Sequence, residues 1–321
     1  MFYHAKELQF NARVSEPDPA FASLLLEQFG GGNGELKAAM QYFVQAFAAR
    51  RPFPDKYDLL MDIASEELSH LEIVGATITM LLDGLNGELK DAAEQTDLTS
   101  VLNGKARKEQ FIHATVMSPQ FLALTGGGPA LTNSQGVPWS GSYVNANGDL
   151  TVDLRSNIAA ESRAKIVYEY LMQFTNDPYV KETLRFLMTR EIAHFQSFSA
   201  ALETIEPNFP PGVLQGDPQF THLYFNMSDG ASARGPWNQG QGPWPQGEQW
   251  MYVEDPLEEV IETKGQTENA PDGFRSPQDV ERMDRRMSEQ RSRQIREKTP
   301  TGRMQWSEYP QEELAGSSGP V

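Results

Sequence analysis

The sequence predicts a mainly α fold, a four-helix bundle, on two observations. Long segments carry apolar residues at spacings of three and four, which is typical of helices that bury one face. Two of these segments contain the same short motif, Glu-x-x-His, at Glu67–His70 and at Glu191–His194. Because residues three apart lie on one face of a helix, each motif is expected to present its Glu and His side by side.

The helices are predicted in chain order from their apolar spacing and end signals. A short helix is expected over residues 18–29, with Asp18 as its N-cap and Pro19 at the first helical position. The longest helix is expected to have Asp55 as its N-cap. The four bundle helices are predicted at residues 34–50, 55–83, 155–175 and 178–205.

An insertion at residues 85–153 separates the two predicted helix pairs. It is rich in Gly, Pro, Ser and Asn towards its end, and residues 137–154 alternate in polarity around Asn147-Gly148. This dipeptide is a turn signal, so a β-hairpin is predicted there. The catalytic bundle with its insertion is therefore expected to span residues 1–206.

The remaining residues, 207–321, are rich in Pro, Gly and Trp and predict an extended, mostly irregular tail. Trp237, Trp244 and Trp250 stand in a Pro/Gly context and are expected to anchor the tail on a neighbouring subunit.

Composition excludes several classes of function. The formal net charge of -17 argues against a nucleic-acid partner, because binding phosphates requires clustered Lys and Arg. The absence of cysteine excludes disulfides, iron–sulfur clusters and thiol catalysis. The sequence also contains no apolar stretch of membrane-spanning length and no signal-peptide core at its start, so we expect no membrane partner and a cytoplasmic location.

The two motifs predict a dinuclear metal site. Each is preceded by a helix with a further candidate carboxylate, Glu35 before the first and Glu161 before the second. Helices bearing Glu paired with helices bearing Glu-x-x-His are the ligand pattern of dinuclear iron or manganese bundles. The plainer interpretation is a solvated helix face for each Glu and an ordinary core histidine for each His. Glu66 complicates the pattern, since it also shares a face with His70.

Five segments agree with one known family in order, spacing and surrounding residues: FYHAKELQF, GELKAAMQYF, DIASEELSHLEIV, NIAAESRAKIVYEYL and REIAHFQSF. On these segments the chain resembles the manganese catalases, which are ferritin-like dimanganese enzymes, over about residues 1–230. The resemblance implies a ferritin-like bundle, two manganese ions per subunit and a homohexamer. It also implies hydrogen peroxide as the substrate, converted to water and dioxygen with two-electron cycling of the metal pair.

The same resemblance implies five manganese ligands and two supporting residues. Glu191 is implied as the carboxylate outside the metal shell that takes and returns peroxide protons. Tyr42 is implied as the hydrogen-bond donor to Glu35. The implied ligands are Glu67 as the bridge, Glu35 and His70 on one ion, and Glu161 and His194 on the other.

The chain departs from the resembled pattern at two positions. Some members of the family have an Arg just before the third Glu or a Lys seven residues after it, near the active-site entrance. Here these positions are Ala160 and Tyr168. Arg163 and Lys165 are nearby cations, but helix geometry is expected to direct them elsewhere.

A calcium ion is also predicted. Asp58 and Asp62 lie four residues apart on one helix, and a later segment offers further oxygen atoms. Hard oxygen ligands of this kind suit Ca²⁺, and the resembled family has such a site in some members. The plainer alternative is a pair of surface acids and an unrelated turn. The later candidate ligands are Asn226, Ser228 and Gly230.

Two other functions remain open from the sequence. A ferritin-like di-iron oxidase or iron-storage protein would use the same ligands. A non-enzymatic coat or assembly protein would account for the long tail.

Overall fold

The computed structural model describes residues 4–83, 127–205, 218–228, 233–244 and 247–263. The described residues up to 205 belong to one compact unit and those from 218 onwards to a second. The division of the chain into a catalytic domain and a tail that wraps neighbouring subunits stays a prediction.

The first unit is a helical bundle, which confirms the predicted mainly α fold. Its helices are α1 (Pro19–Gly30), α2 (Glu35–Ala49), α3 (Pro54–Leu81), α4 (Leu150–Leu171) and α5 (Pro178–Glu203). Helix α1 is short, α2 packs along α3, and α4 packs along α5. Further contacts join α2 to α4 and α3 to α5, so the two helix pairs face each other.

The helix starts agree with the sequence in one case and correct it in another. The Asp18 side chain accepts a 3.0 Å hydrogen bond from the Phe21 N–H, so the predicted N-cap of α1 is confirmed. The predicted N-cap Asp55 is wrong, because Phe53 caps α3 and Asp55 lies within its first turn. Pro54 takes the first helical position, where its fixed φ and missing N–H cost nothing.

The predicted hairpin at Asn147-Gly148 is also wrong. These two residues directly precede α4, and Gly148 has a φ of 75°. Their backbone N–H groups donate to the carboxylate of Asp153, at 2.7 and 3.1 Å. The turn residues therefore begin a helix, because a carboxylate in its first turn satisfies the N–H groups that a second strand would otherwise bind.

A short hairpin lies earlier in the insertion instead. The Trp139 N–H donates to the carbonyl of Leu131 at 3.0 Å, and the Asn133 N–H donates to that of Val137 at 2.9 Å. Gly136, with a φ of 78°, closes this turn. Residues 84–126, the greater part of the insertion, lie outside the described residues.

The core of the bundle has two apolar clusters with a polar layer between them. On α3, Leu60 belongs to one cluster and Ile73 to the other. On α5, Leu187 and Phe198 divide in the same way. Both Glu-x-x-His motifs fall between these positions, so the fold places their side chains in one buried layer.

The second unit contains short elements. Strands β1 (Leu223–Phe225) and β2 (Met251–Val253) pair in parallel, with Tyr224 opposite Tyr252. Two helices, α6 (Pro218–Thr221) and α7 (Pro256–Thr263), flank the strands in sequence. The mostly irregular tail predicted from Pro and Gly content is consistent with these short elements. Residues 264–321 lie outside the described residues.

Within the part of the chain that the structure describes, no helix combines the length and the apolarity needed to cross a membrane.

Candidate metal centre

Six ionisable side chains meet inside the bundle, contributed by all four long helices. Each is at most 2% exposed. Burying so many carboxylates and imidazoles is costly unless a partner neutralises them, and a divalent cation is an effective partner. The six are Glu35 from α2, Glu67 and His70 from α3, Glu161 from α4, and Glu191 and His194 from α5.

Glu67 lies between the two imidazoles. One of its oxygens is 3.1 Å from His70 Nδ1, and the other is 2.8 Å from His194 Nδ1. The two rings are nearly parallel, with centroids 5.5 Å apart and 20° between their planes. A carboxylate with one oxygen towards each imidazole is in the position that a ligand bridging two ions requires.

The remaining carboxylates stand around this centre unequally. Glu35 and Glu191 approach the same atom, His70 Nδ1, at 3.6 and 3.5 Å. Glu161 lies 3.9 Å from His194 Nδ1. The ligand set implied from the sequence is thus brought together, with Glu35 near His70 and Glu161 near His194. One donor atom each from Glu67, His70, Glu191 and His194 lies within 4.8 Å of the others.

Two buried tyrosines support the outer carboxylates in a reciprocal pattern. Tyr42 on α2 donates to Glu161 on α4 at 2.5 Å, and Tyr168 on α4 donates to Glu35 on α2. The implied bond from Tyr42 to Glu35 is wrong. Seven residues are about 10.5 Å along one helix, so Tyr42 reaches the neighbouring helix instead. Tyr168 was missed as a supporting residue, although it stands seven residues after Glu161 as Tyr42 does after Glu35.

Glu66 lies beside the Nε2 atoms of both imidazoles. Its carboxylate oxygens lie 3.0 Å from His194 Nε2 and 3.5 Å from His70 Nε2. Arg190 on α5 donates to both oxygens, at 2.6 and 3.2 Å. An imidazole that donates from Nε2 to Glu66, as His194 is placed to do, presents its Nδ1 lone pair to the centre, as a metal ligand must. His70 Nε2 lies near Glu66 without a hydrogen bond. The spacing of Glu66 from His70 was the available signal in the sequence, where no role was assigned to it.

The buried atoms without hydrogen-bond partners provide a test of the metal assignment. In folded proteins, buried polar atoms nearly always have a hydrogen-bond partner, and the exceptions require an explanation. Among the described residues, the exceptions concentrate in the centre and include both oxygens of Glu191. Oxygen and imidazole nitrogen donors suit manganese, so these residues fit the ion. The other unpartnered atoms of the centre are Glu35 Oε2, Glu67 Oε1, His70 Nε2, Glu161 Oε2 and His194 Nδ1.

The electrostatics of the metal-free protein distinguish the glutamates. Burial, followed by the charges of Glu191 and Glu67, raises the pKa of Glu35 well above its usual value. Burial also raises the pKa of Glu161 and of Glu191. For Glu67, burial acts in the same direction, but the neighbouring imidazoles of His194 and His70 outweigh it and hold its pKa well below the usual value.

Two cations considered from the sequence do not enter the centre. Arg163 donates to the side chain of Asn33 at 2.9 Å. Lys165 pairs with Glu169 one turn along the same helix. Arg163 is exposed and Lys165 is half-buried, and the partners of both agree with the expectation that helix geometry directs them away from the centre.

The predicted calcium site stays a prediction. Asp58 and Asp62 lie on α3, and burial together with the charge of Asp58 raises the pKa of Asp62. Asn226 and Ser228 belong to the second unit, and Gly230 lies outside the described residues.

The fold and the centre together define a class of protein, a ferritin-like four-helix bundle with a dinuclear metal site. Comparison with known proteins gives the family. The sequence matches the family described as manganese containing catalase over residues 1–289. The chain belongs to the manganese catalase family and is a manganese-dependent catalase.

Individual relatives agree with this family. A manganese catalase from Bacillus subtilis is 37% identical over 246 residues, covering 74% of this chain and 85% of the relative. One from Lactiplantibacillus plantarum is 31% identical over 263 residues, covering 80% and 92%. The crystal structure of KatB, a manganese catalase from Anabaena, superposes with a TM-score of 0.64 at 39% identity, covering 80% of this chain and all of that one.

Proposed function

We propose that this catalase disproportionates hydrogen peroxide at two manganese ions bridged by Glu67. Glu35 and His70 would bind one ion, and Glu161 and His194 the other. The observation that carries this assignment is the placement of Glu67, whose two oxygens approach the Nδ1 atoms of two nearly parallel imidazoles. A manganese pair supplies reversible exchange of two electrons.

The protein must then move protons. One peroxide loses two electrons and two protons to become dioxygen, and the other gains both to become two waters. A carboxylate whose pKa is raised towards neutrality is suited to exchanging such protons. Burial, followed by the charge of Glu67, raises the pKa of Glu191, and the nearby His70 partly opposes this rise. Both Glu191 oxygens are without hydrogen-bond partners, so we assign Glu191 as the proton carrier.

Metal analysis combined with an oxygen electrode tests this function. The purified protein is expected to contain two manganese ions per subunit and to release one dioxygen for every two peroxides consumed. Iron in place of manganese, without oxygen evolution, would instead support the di-iron oxidase or storage alternative. Normal assembly with neither metal nor turnover would support a coat or assembly role.

Three further expectations rest on resemblance and remain proposals. We propose a homohexamer, a cytoplasmic location and a calcium ion at Asp58 and Asp62. Light scattering coupled to gel filtration would give the subunit number, and cell fractionation would give the compartment. Calcium analysis of the wild-type protein and of the double variant Asp58→Asn, Asp62→Asn would test the ion, which only the wild type is expected to retain.

A further inference from the structure

Lys37 is a buried cation to which the proposed mechanism gives no role. Its side chain belongs to the first turn of α2 and is only 2% exposed. Among the described residues, its Nζ has no hydrogen-bond partner. An ammonium group removed from water without a partner is costly, so its retention in the core indicates an anion that binds there.

The position of Lys37 follows from the contacts of its helix face. Lys37, Gln41 and Gln45 are spaced four apart and share one face of α2. Gln41 donates to Asn157 on α4 at 2.8 Å, and Asn157 donates to Gln45 at 2.7 Å. This face of α2 therefore packs against α4.

The direction of α4 places Lys37 beside the metal centre. Tyr42 bonds to Glu161 and Tyr168 bonds to Glu35, so residue numbers rise on α4 as they fall on α2. One turn before Gln41 on α2 thus corresponds to one turn after Asn157 on α4, which is the level of Glu161. Lys37 accordingly lies level with a proposed metal ligand.

The neighbouring cation on α4 does not compete for this place. Arg163, two residues after Glu161, is exposed and donates to the side chain of Asn33 at 2.9 Å. Lys37, in contrast, is only 2% exposed.

We propose that Lys37 binds a small monovalent anion at the manganese pair, between α2 and α4. Under the proposed function, on which this inference rests, the physiological anion is hydroperoxide, and inorganic anions of similar size compete for the same place. The alternative is that Lys37 serves only to balance the charge of Glu161 and Glu67.

Azide binding to the manganese-loaded protein distinguishes the two. Azide is a small monovalent anion, and its dissociation constant is obtained from the absorption change of the oxidised protein. Lys37→Met keeps the side-chain length and removes the charge, and Lys37→Arg restores the charge. Lys165→Met is the matched control, since Lys165 pairs with Glu169 outside the centre.

The azide dissociation constant of Lys37→Met is expected to rise by about tenfold or more, because this variant loses one charge-assisted hydrogen bond to the anion. Lys37→Arg and Lys165→Met are expected to stay within about threefold of wild type. An unchanged azide constant in Lys37→Met, together with tighter manganese binding, would overturn the proposal in favour of charge balance.

Two further measurements keep the test decisive. If Lys37→Met does not fold, an azide constant for Lys37→Gln equal to that of wild type would overturn the proposal, and a raised one would support it. Manganese content separates this inference from the ligand assignment. The manganese content of Glu67 variants tests the ligand assignment. The azide dissociation constant of Lys37 variants at full manganese content tests only the anion site at Lys37.

Discussion

The helix pair α2 and α3 and the helix pair α4 and α5 carry the same elements but use them differently. Each pair supplies a Glu, a Tyr seven residues later, and a Glu-x-x-His motif. The tyrosines act symmetrically, each donating to the Glu of the other pair. The motif glutamates do not, because Glu67 lies 3.1 and 2.8 Å from the Nδ1 atoms of His70 and His194, whereas Glu191 lies 3.5 Å from that of His70.

The residue before each motif explains part of this asymmetry. It is Glu66 in the first pair and Arg190 in the second, and the two side chains form a bidentate ion pair. The Glu66 oxygens also lie 3.0 Å from His194 Nε2 and 3.5 Å from His70 Nε2. The two helix pairs therefore differ in the charge of the residue before the motif, and this difference contributes to the unequal surroundings of the two motif glutamates.

Among residues that are not proposed ligands, Glu66→Gln is expected to have the largest effect on manganese affinity. An amide oxygen cannot neutralise two imidazoles and Arg190, so manganese affinity is expected to fall by about 10- to 100-fold. Equilibrium titration with manganese measures this. Arg190→Gln is the matched variant, and its manganese affinity is expected to fall by less, because Glu66 would still contact both imidazoles. Equal affinities in wild type and Glu66→Gln would refute the role of Glu66.

Manganese affinity is expected to rise with pH by about tenfold per unit for each proton displaced. Burial raises the pKa of Glu35 and of Glu161, so both carboxyls keep their protons to a higher pH than exposed carboxyls do. Burial lowers the pKa of His194, but hydrogen bonds to Glu66 and Glu67 outweigh this and raise it to about 9 from 6.5. Metal must displace these protons. Manganese titrations at a series of pH values up to about 9 should show the affinity rising with pH. Proton uptake on manganese binding would contradict this account.

The tyrosine symmetry predicts matched losses in Tyr42→Phe and Tyr168→Phe. Each change leaves a buried carboxylate without its hydroxyl donor, at a cost of about 1–3 kcal/mol in the free energy of unfolding. Denaturant unfolding of the metal-free variants gives the values. A large loss in one variant and none in the other would show that the two halves are not equivalent here.

The helix caps give the smallest expected difference. Asp149 and Asp177 cap α4 and α5 through backbone N–H groups, whereas α2 and α3 have no side-chain cap. Asp149→Ala and Asp177→Ala are each expected to lower the free energy of unfolding by about 1 kcal/mol. Asp55→Ala, a first-turn acid that caps nothing, should stay within about 0.5 kcal/mol. A loss at Asp55 equal to the other two would contradict this comparison.

Periodicity was sufficient for the bundle and for placing the two Glu-x-x-His motifs on buried helix faces, because each depends on spacing along one helix. The assignment of ligands came from the family resemblance and stays a prediction. The bonds between helices were not predictable in the same way. The reach of Tyr42 to Glu161 depends on the antiparallel packing of α2 and α4, and the bond from His194 to Glu66 depends on how α5 meets α3. The turn signal at Asn147-Gly148 failed because Asp153 binds its backbone N–H groups.

The manganese content of Glu67→Gln and Glu191→Gln tests the unequal roles of the two motifs most directly. Glu67→Gln is expected to lose manganese together with activity. Glu191→Gln is expected to keep two manganese ions per subunit while oxygen evolution falls by about 100-fold or more. Equal manganese loss in the two variants, or full activity in Glu191→Gln, would contradict the assignment of Glu67 as the bridge and Glu191 as the proton carrier.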